Sequence, residues 1–331
     1  MRVTPSCDTL NSVVICDKPF IQMDPAVVFN GTKHIVVWSD ARFTGAYYWL
    51  VASCVSTDGV VLDTGYCIGA QQMRSELSPD IAFDSERARC FVVWYNFDPP
   101  FGVYGRLLDE TGQPMDTAVT VAVTIAGFNV NPSVVFAGGQ YFVVWADVRP
   151  GSSDLDIYGQ FVSISGQPAR ARLLIATGPN NQMYPEVAYD GSALLVIWRE
   201  ETMAIFGQRI SASGTMLGGN FPVSDTMPYY RYNAGVAASP ANFLVAWSEI
   251  RDGETDIVGN VDVAALVQEQ SVDRTERRGA TVFRGDLVLP GAGDYGVYDV
   301  SGRGVTGRPI AGGIYFITLG DRIVQKMIKV K

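Results

Sequence analysis

Five times along the chain a short apolar run ends in tryptophan: His-Ile-Val-Val-Trp38, Cys-Phe-Val-Val-Trp94, Tyr-Phe-Val-Val-Trp145, Leu-Leu-Val-Ile-Trp198 and Phe-Leu-Val-Ala-Trp247. The spacings are 56, 51, 53 and 49 residues, so one unit is written five times. Most copies open with a short strand after proline, as in Pro25-Ala-Val-Val-Phe, Pro79-Asp-Ile-Ala-Phe, Pro132-Ser-Val-Val-Phe and Pro185-Glu-Val-Ala-Tyr. After each Trp comes a polar turn, a third strand such as Asp156-Ile-Tyr-Gly-Gln-Phe-Val, a Gly-containing turn and a fourth strand. Four short strands in a unit of roughly 40–50 residues predict a propeller blade. The nearly continuous apolar Trp strands suit inner strands covered on both faces, with each Trp a wedge between blades. The glycines of Tyr104-Gly, Tyr158-Gly, Phe206-Gly and Val258-Gly sit inside third strands, where close backbone approach is the usual reason.

The fifth copy has an opening strand, a Trp strand and a third strand, then runs into the unpatterned Gln268-Glu-Gln-Ser-Val-Asp-Arg-Thr-Glu-Arg-Arg. Ile15 precedes Pro25 by ten residues, as Ile175 precedes Pro185 and Val223 precedes Asn233. A ring cannot leave an edge strand open to other chains. The segment Leu10–Cys16 is therefore expected to serve as the fourth strand of blade five. The expected fold is all-β: a five-bladed β-propeller of four-stranded blades over residues 1–266, a polar linker at 267–279, and a small C-terminal β-sandwich at 280–331. In that last unit Tyr315–Leu319 and Ile323–Val330 alternate about Gly320-Asp321 and predict a hairpin.

Composition narrows the partners. The 331 residues carry a net charge of −9, with no basic surface of the kind nucleic acid requires. No apolar run approaches the ~18 residues of a membrane span. Met1-Arg-Val-Thr-Pro-Ser lacks the apolar core of a signal peptide. The five cysteines, Cys7, Cys16, Cys54, Cys67 and Cys90, lie in the first third. Cys54 with Cys67 and Cys7 with Cys16 are candidate disulfides, Cys90 reads as a buried thiol, and no zinc spacing is present.

Candidate chemistry divides into repeated and unique positions. The loops after the Trp strands carry Asp40, Asp147, Glu200 and Glu249, with Asn96 in blade two, and Arg42, Arg149 and Arg251 follow two residues later in three copies. They are candidates for a polar ligand cup, of carbohydrate or protein, at one face of the propeller. Their recurrence also fits turn capping and local ion pairing. Asp80 and Glu186 are unique: each follows the opening proline on an innermost strand, where other blades have Ala26, Ser133 and Ala234. Glycoside hydrolysis needs such a carboxyl pair, about 5–5.5 Å apart for retention or about 6.5–9.5 Å for inversion. His34 is the single histidine and has no nucleophile motif beside it, so a Ser-His-Asp device is not expected. Asp154, Asp156 and the Asp252–Asp256 loop offer oxygen ligands for Ca2+ but match no loop motif, and no cofactor is called.

The tail carries a family resemblance. Val297-Tyr-Asp-Val-Ser-Gly-Arg303, Gly313-Ile-Tyr-Phe316 and Lys326-Met-Ile-Lys-Val-Lys331 occur in order, and together resemble the C-terminal sorting domain of the type IX secretion system. The usual Asn-Pro opening is replaced by the short Thr281-Val-Phe-Arg-Gly. Trp145-Ala-Asp-Val-Arg…Asp156-Ile-Tyr resembles, more loosely, repeats of secreted bacterial propellers. These resemblances imply export to the cell surface or medium, the secretion machinery as a partner, and a chain that is a truncated or processed form. The leading expectation is a monomeric, non-catalytic binding or scaffold propeller. The alternative is a glycoside hydrolase or polysaccharide lyase using Asp80 and Glu186.

Overall fold

The five blades fall where the Trp repeat puts them. In this computed structural model the described residues are 2–3, 9–69, 74–124, 130–225, 227, 229–240, 242–251, 253–263, 281–283, 295–299, 313–319 and 322–329, with side chains described only between residues 12 and 261. Two short strands, β1 (Arg2–Val3) and β2 (Thr9–Asn11), pair with each other. Blade one is β3 (Gln22–Phe29), β4 (Lys33–Asp40), β5 (Trp49–Ser56) and β6 (Tyr66–Cys67). Blade two is β7 (Glu76–Asp84), β8 (Arg89–Asn96), β9 (Gly102–Leu108) and β10 (Val119–Val123). Blade three is β11 (Ser133–Ala137), β12 (Gln140–Val148), β13 (Leu155–Val162) and β14 (Leu173–Ala176). Blade four is β15 (Gln182–Tyr189), β16 (Ala193–Glu200), β17 (Ile205–Ser211) and β18 (Met216–Pro222). Blade five is β19 (Tyr230–Ser239), β20 (Asn242–Arg251) and β21 (Glu254–Val263). Strands follow one another across each blade, and the first strands β3, β7, β11, β15 and β19 lie side by side in that order. The protein is a five-bladed β-propeller whose channel is lined by those first strands.

Four apolar cores hold successive blades together, and the repeat explains their content. Trp94, Trp145 and Trp198 are fully buried, one in each of three inter-blade cores. Each stacks on the aromatic residue opposite it on the third strand: Trp94 on Tyr104 at 6.2 Å, Trp145 on Tyr158 and Trp198 on Phe206 at 6.3 Å. The glycine after that aromatic leaves room for a second ring. A Cβ on Gly105 would lie 2.2 Å from Phe91, and one on Gly159 would lie 2.6 Å from Phe142. Truncating a core aromatic of this kind costs about 3–5 kcal/mol.

Three expectations need correction. The segment Leu10–Cys16 is not the fourth strand of blade five: Thr9–Asn11 pairs with Arg2–Val3, residues 12–16 form no strand, and the blade-five sheet has three strands among the described residues. What holds the segment is its side chains, because Ile15 and Cys16 pack on Val36, Trp38, Val51 and Val55 of blade one. Cys54 and Cys67 form no disulfide. Cys67 lies opposite Val51, three residues out of register with Cys54, whose thiol donates to Thr111 O at 3.1 Å. Cys16 and Cys90 are also free thiols, and Cys7 lies outside the described residues. The third correction, a one-residue register change in blade five, belongs to the channel.

The chain divides into two compact units, Met1–Gly259 and Asn260–Lys331. The second contains β22 (Thr281–Phe283), β23 (Tyr295–Asp299), β24 (Gly313–Leu319) and β25 (Arg322–Lys329), in one sheet ordered β22-β25-β24-β23. The predicted hairpin is β24–β25, with Leu319 opposite Arg322; β22 joins β25 in parallel. The linker 267–279 lies outside the described residues, as do Val300–Arg303 and Val330–Lys331 of the sorting motifs. Among the described residues no helix is long and apolar enough to cross a membrane.

Candidate functional site

A repeated bulge builds the channel wall. Asp24, Ser78, Asn131, Tyr184 and Asn233 adopt positive φ of 52°, 47°, 40°, 55° and 52°. Two residues on from each, the chain pairs with the residue that precedes the Trp: Ala26 opposite Val37, Asp80 opposite Val93, Ser133 opposite Val144, Glu186 opposite Ile197, Gly235 opposite Ala246. In blades one, two, four and five the register shifts at this point, as a bulge requires. The equivalent of Asp80 in blade five is therefore Gly235 and not Ala234. That blade has Ala234 where the others have the opening proline, and Asn233, among the residues that best tolerate the left-handed region, sets the register.

The row Ala26–Asp80–Ser133–Glu186–Gly235 is lopsided: two carboxyls and a hydroxyl on adjacent blades two, three and four, and almost no side chain on the others. Asp80 Oδ2 accepts from Val134 N at 2.8 Å and Oδ1 from Ile81 N at 2.8 Å. The buried Ser133 hydroxyl donates to Glu186 Oε2 at 3.3 Å and lies close enough to Asp80 to give its one proton to that carboxylate in turn. Blade three thus ties the two acids into one cluster. Burial raises the pKa of Asp80, opposed by the N–H groups of Val134 and Ile81 and by Ser133. Glu186 reaches solvent in the channel, yet burial, reinforced by the charge of Asp80, pushes it up to about 7 against the one donor, Ser133. Fewer donors on Glu186 than on Asp80 leave Glu186 the better holder of a proton at neutral pH.

Charges on neighbouring strands are engaged elsewhere. Asp24 accepts from Ser78 N and Oγ, Arg199 lies 4.8 Å over the Tyr184 ring, and the buried Arg231 pairs with Glu249 and Asp225. The exposed Tyr184, two residues before Glu186, adds an aromatic ring on the same bulge. Ser133 is the functional group that sequence reasoning passed over. Its signal was a hydroxyl at a channel position on the blade between two acid-bearing blades.

The repeated loop residues lie elsewhere, and most are already paired. Asp40, fully buried, accepts from Trp38 Nε1 at 2.7 Å and Arg42 Nε at 2.8 Å. Glu249, also fully buried, accepts from Trp247 Nε1 at 3.0 Å, Arg231 Nε at 2.6 Å, and Arg251 Nε. Burial pulls both acids up, but these donors outweigh it and hold both below their ordinary range. Asp147 is buried, accepts from Val148 N at 2.8 Å and pairs with Arg172 at 3.5 Å. Arg149 pairs with Asp156 at 2.6 Å and Asp154 at 3.8 Å rather than with Asp147. Burial raises the pKa of Glu200, opposed by Trp198, and Asn96 accepts from Trp94 Nε1 at 3.2 Å. His34 lies 5.0 Å from Phe29, its ring tilted by 42° to the phenyl. Asp156, a candidate Ca2+ ligand, is committed to Arg149 and Thr177, and among the described residues no group of three or more His, Cys, Asp or Glu side chains is arranged to hold a metal.

No family model matches the chain, and no curated protein matches it. Solved structures do. A protein of unknown function from Dyadobacter fermentans aligns over 75% of this chain and 80% of its own, with a TM-score of 0.58 and 11% identity. A thermostable family-43 glycoside hydrolase aligns over 77% and 96%, with a TM-score of 0.47 and 10% identity. A GH43 endo-arabinanase from Bacillus licheniformis aligns over 74% and 95%, with a TM-score of 0.44 and 14% identity. The first likeness is one of fold, and the two hydrolases superpose too loosely to bear on chemistry.

Proposed function

We propose that the propeller is a glycoside hydrolase, with Glu186 as general acid and Asp80 as general base on a water. The observation that carries this reading is the Asp80–Ser133–Glu186 row: two unique acids, linked by one hydroxyl, on the channel wall with no cation among the described residues paired to either. Glu186, poised near neutrality, protonates the departing glycosidic oxygen as the C–O bond breaks. Asp80, richer in donors, keeps its charge and takes the proton of the water that attacks the anomeric carbon. Blade three stands between the two acids, which suits an intervening water better than direct attack by Asp80. The test is a panel of polysaccharides and aryl glycosides offered to the parent protein, Glu186→Gln and Asp80→Asn. The expected result is turnover by the parent and a loss of about 10²–10⁴-fold in each variant, the usual scale of general acid–base catalysis. Absence of turnover, or variants as fast as the parent, sinks it.

One observation favours a non-catalytic, carbohydrate-binding scaffold instead: both Asp80 oxygens accept backbone N–H groups, as an inter-blade clamp would. Glycan-array binding that survives both substitutions, with no turnover, would mark that outcome. For the tail we propose an export role on the strength of its three ordered motifs. A reporter carrying only residues 280–331 should leave a type IX-competent cell, and its retention inside would end that reading.

A further inference from the structure

Glu186 is not the single place where blade four departs from the repeat. One residue after the Trp, the other blades carry Ser39, Tyr95, Ala146 and Ser248, and blade four carries Arg199. At the bulge the others carry Asp24, Ser78, Asn131 and Asn233, and blade four carries Tyr184. The two departures touch: the Arg199 guanidinium lies 4.8 Å over the Tyr184 ring, which keeps 42% of its surface exposed. Both sit on the strand pair that holds Glu186, with Met183 opposite Arg199 and Glu186 opposite Ile197. Side chains alternate along a strand, so Arg199 shares the face of Ile197, which packs towards blade five. On that side Arg199 Nη1 donates to Arg231 O at 3.4 Å, and the neighbour of Glu186 in the channel row is Gly235, with no side chain to fill the space.

Arg199 also lacks the counter-charge that other arginines have. Arg42, Arg149 and Arg251, each four residues after a Trp, all pair with a carboxylate. Among the described residues Arg199 has none: its Nε is buried without an acceptor, and Nη1 has a long bond to a carbonyl. Nor is its charge spent on Glu186, whose proton affinity is set by burial and by Asp80. A cation with unmade donors, stacked on an exposed ring in an acidic chain, is built to receive an oxyanion.

We propose that Tyr184 and Arg199 form a subsite beside Glu186 for a uronic acid residue, with Tyr184 as the apolar contact of the sugar ring and Arg199 as the partner of its carboxylate. This assignment rests on the channel row as the site of glycoside cleavage, and it names the substrate class there: a uronate-containing polysaccharide. The planar guanidinium fork matches a carboxylate through two parallel N–H bonds, which a neutral sugar hydroxyl cannot reproduce. Gly235 leaves the room beside Glu186 that a sugar ring requires.

Calorimetric titration of the full chain carrying Glu186→Gln, in which no sugar is consumed, tests the assignment. The ligands are oligogalacturonate, oligoglucuronate and oligomannuronate, each beside its neutral, carboxyl-reduced form. At least one acidic ligand should bind about 10-fold or more tighter than its reduced form, the scale of a hydrogen bond to a charged group. Arg199→Met in the same background should abolish that preference while the reduced form binds as before. Arg199→Lys, which keeps the charge and loses the fork, should restore part of it. Equal binding of acidic and reduced forms, or no binding of any acidic form, overturns the proposal. A preference that survives Arg199→Met overturns it too, because the carboxylate then sits elsewhere, as does binding of sulfated oligosaccharides in place of uronates. Turnover is read separately on the parent. A preference carried by Arg199 without turnover keeps the subsite and ends the hydrolase reading, whereas hydrolysis of neutral glycans alone keeps the hydrolase and ends the subsite.

Discussion

The propeller holds two sets of carboxylates that burial treats alike and their neighbours treat oppositely. At the ends of the Trp strands, Asp40 and Glu249 are fully buried, but an indole N–H and one or two guanidinium groups hold them ionised. On the channel wall, Asp80 and Glu186 meet backbone N–H groups, one hydroxyl and each other, and their pKa values rise. The first set follows the repeat: in blades one and five the acid two residues after the Trp accepts the indole N–H, and the Arg two residues further on pairs with that acid. The second set breaks the repeat, and nothing in the fold's own symmetry asks for it. A group that departs from symmetry and carries no counter-charge is where chemistry is worth seeking.

The sharpest way to break this comparison is to remove one acid from the paired set. Arg231 is fully buried against Glu249, and Trp247 and Arg251 depend on the same carboxylate. Glu249→Ala leaves the Arg231 charge in the interior with only the partly exposed Asp225 and a backbone carbonyl to receive it. The expected loss is about 3–5 kcal/mol, the cost of unpairing a buried ion pair, read from urea unfolding. Glu186→Gln, measured in the same way near neutral pH, should not destabilise the protein. Equal losses from both substitutions would erase the distinction between the two sets.

Most of the fold was readable because its units are local. The apolar run ending in Trp fixes the buried second strand, and the Tyr-Gly of the third strand is explained by the ring that stacks on Trp and the ring that occupies the missing Cβ position. Side-chain place was more legible than backbone pairing. The ten-residue spacing put Ile15 on Trp38, as it put Ile175 beside Trp198, yet spacing says nothing about which edge supplies the hydrogen bonds, and the segment pairs differently. Blade five misled by one residue because its bulge is made by Asn233 without a proline. The pairing of Asp80 with Glu186 was legible as two acids on inner strands, whereas Ser133 was not. A serine on a strand looks like any other until its neighbours around the channel are known.

A smaller effect separates the two sets by pH. Asp40 and Glu249 have lowered pKa values, so their stabilisation is present above the ordinary carboxylate range and is lost as pH falls through the folded values. Glu186 runs the other way. With a folded pKa raised from 4.5 to about 7, the native state binds more protons than the unfolded chain across that window. Its contribution is present below about 4.5 and disappears as pH rises through about 7. The thermal midpoint of the parent should therefore fall, relative to Glu186→Gln, between those two pH values and run parallel to it above them. Parallel curves throughout would mean that Glu186 titrates as an ordinary surface acid.

The smallest effect concerns the hydroxyl that joins the two acids. Ser133 donates to the ionised form of Glu186 and opposes the rise in its pKa. Ser133→Ala removes that donor while leaving burial and the charge of Asp80 in place, so Glu186 should titrate higher still. A hydrogen bond worth about 0.5–1.5 kcal/mol corresponds to at most roughly one pH unit. Asp80 loses the same hydroxyl but keeps Val134 N and Ile81 N, so it should move less than Glu186. Carbon-13 NMR titration of the side-chain carboxyls in the full chain measures both groups independently of any turnover. Ser133→Thr, which keeps a hydroxyl, should restore the parent values. A Glu186 titration unchanged by Ser133→Ala would mean that the hydroxyl does not couple the acids, and the channel row would reduce to two separate residues on neighbouring blades.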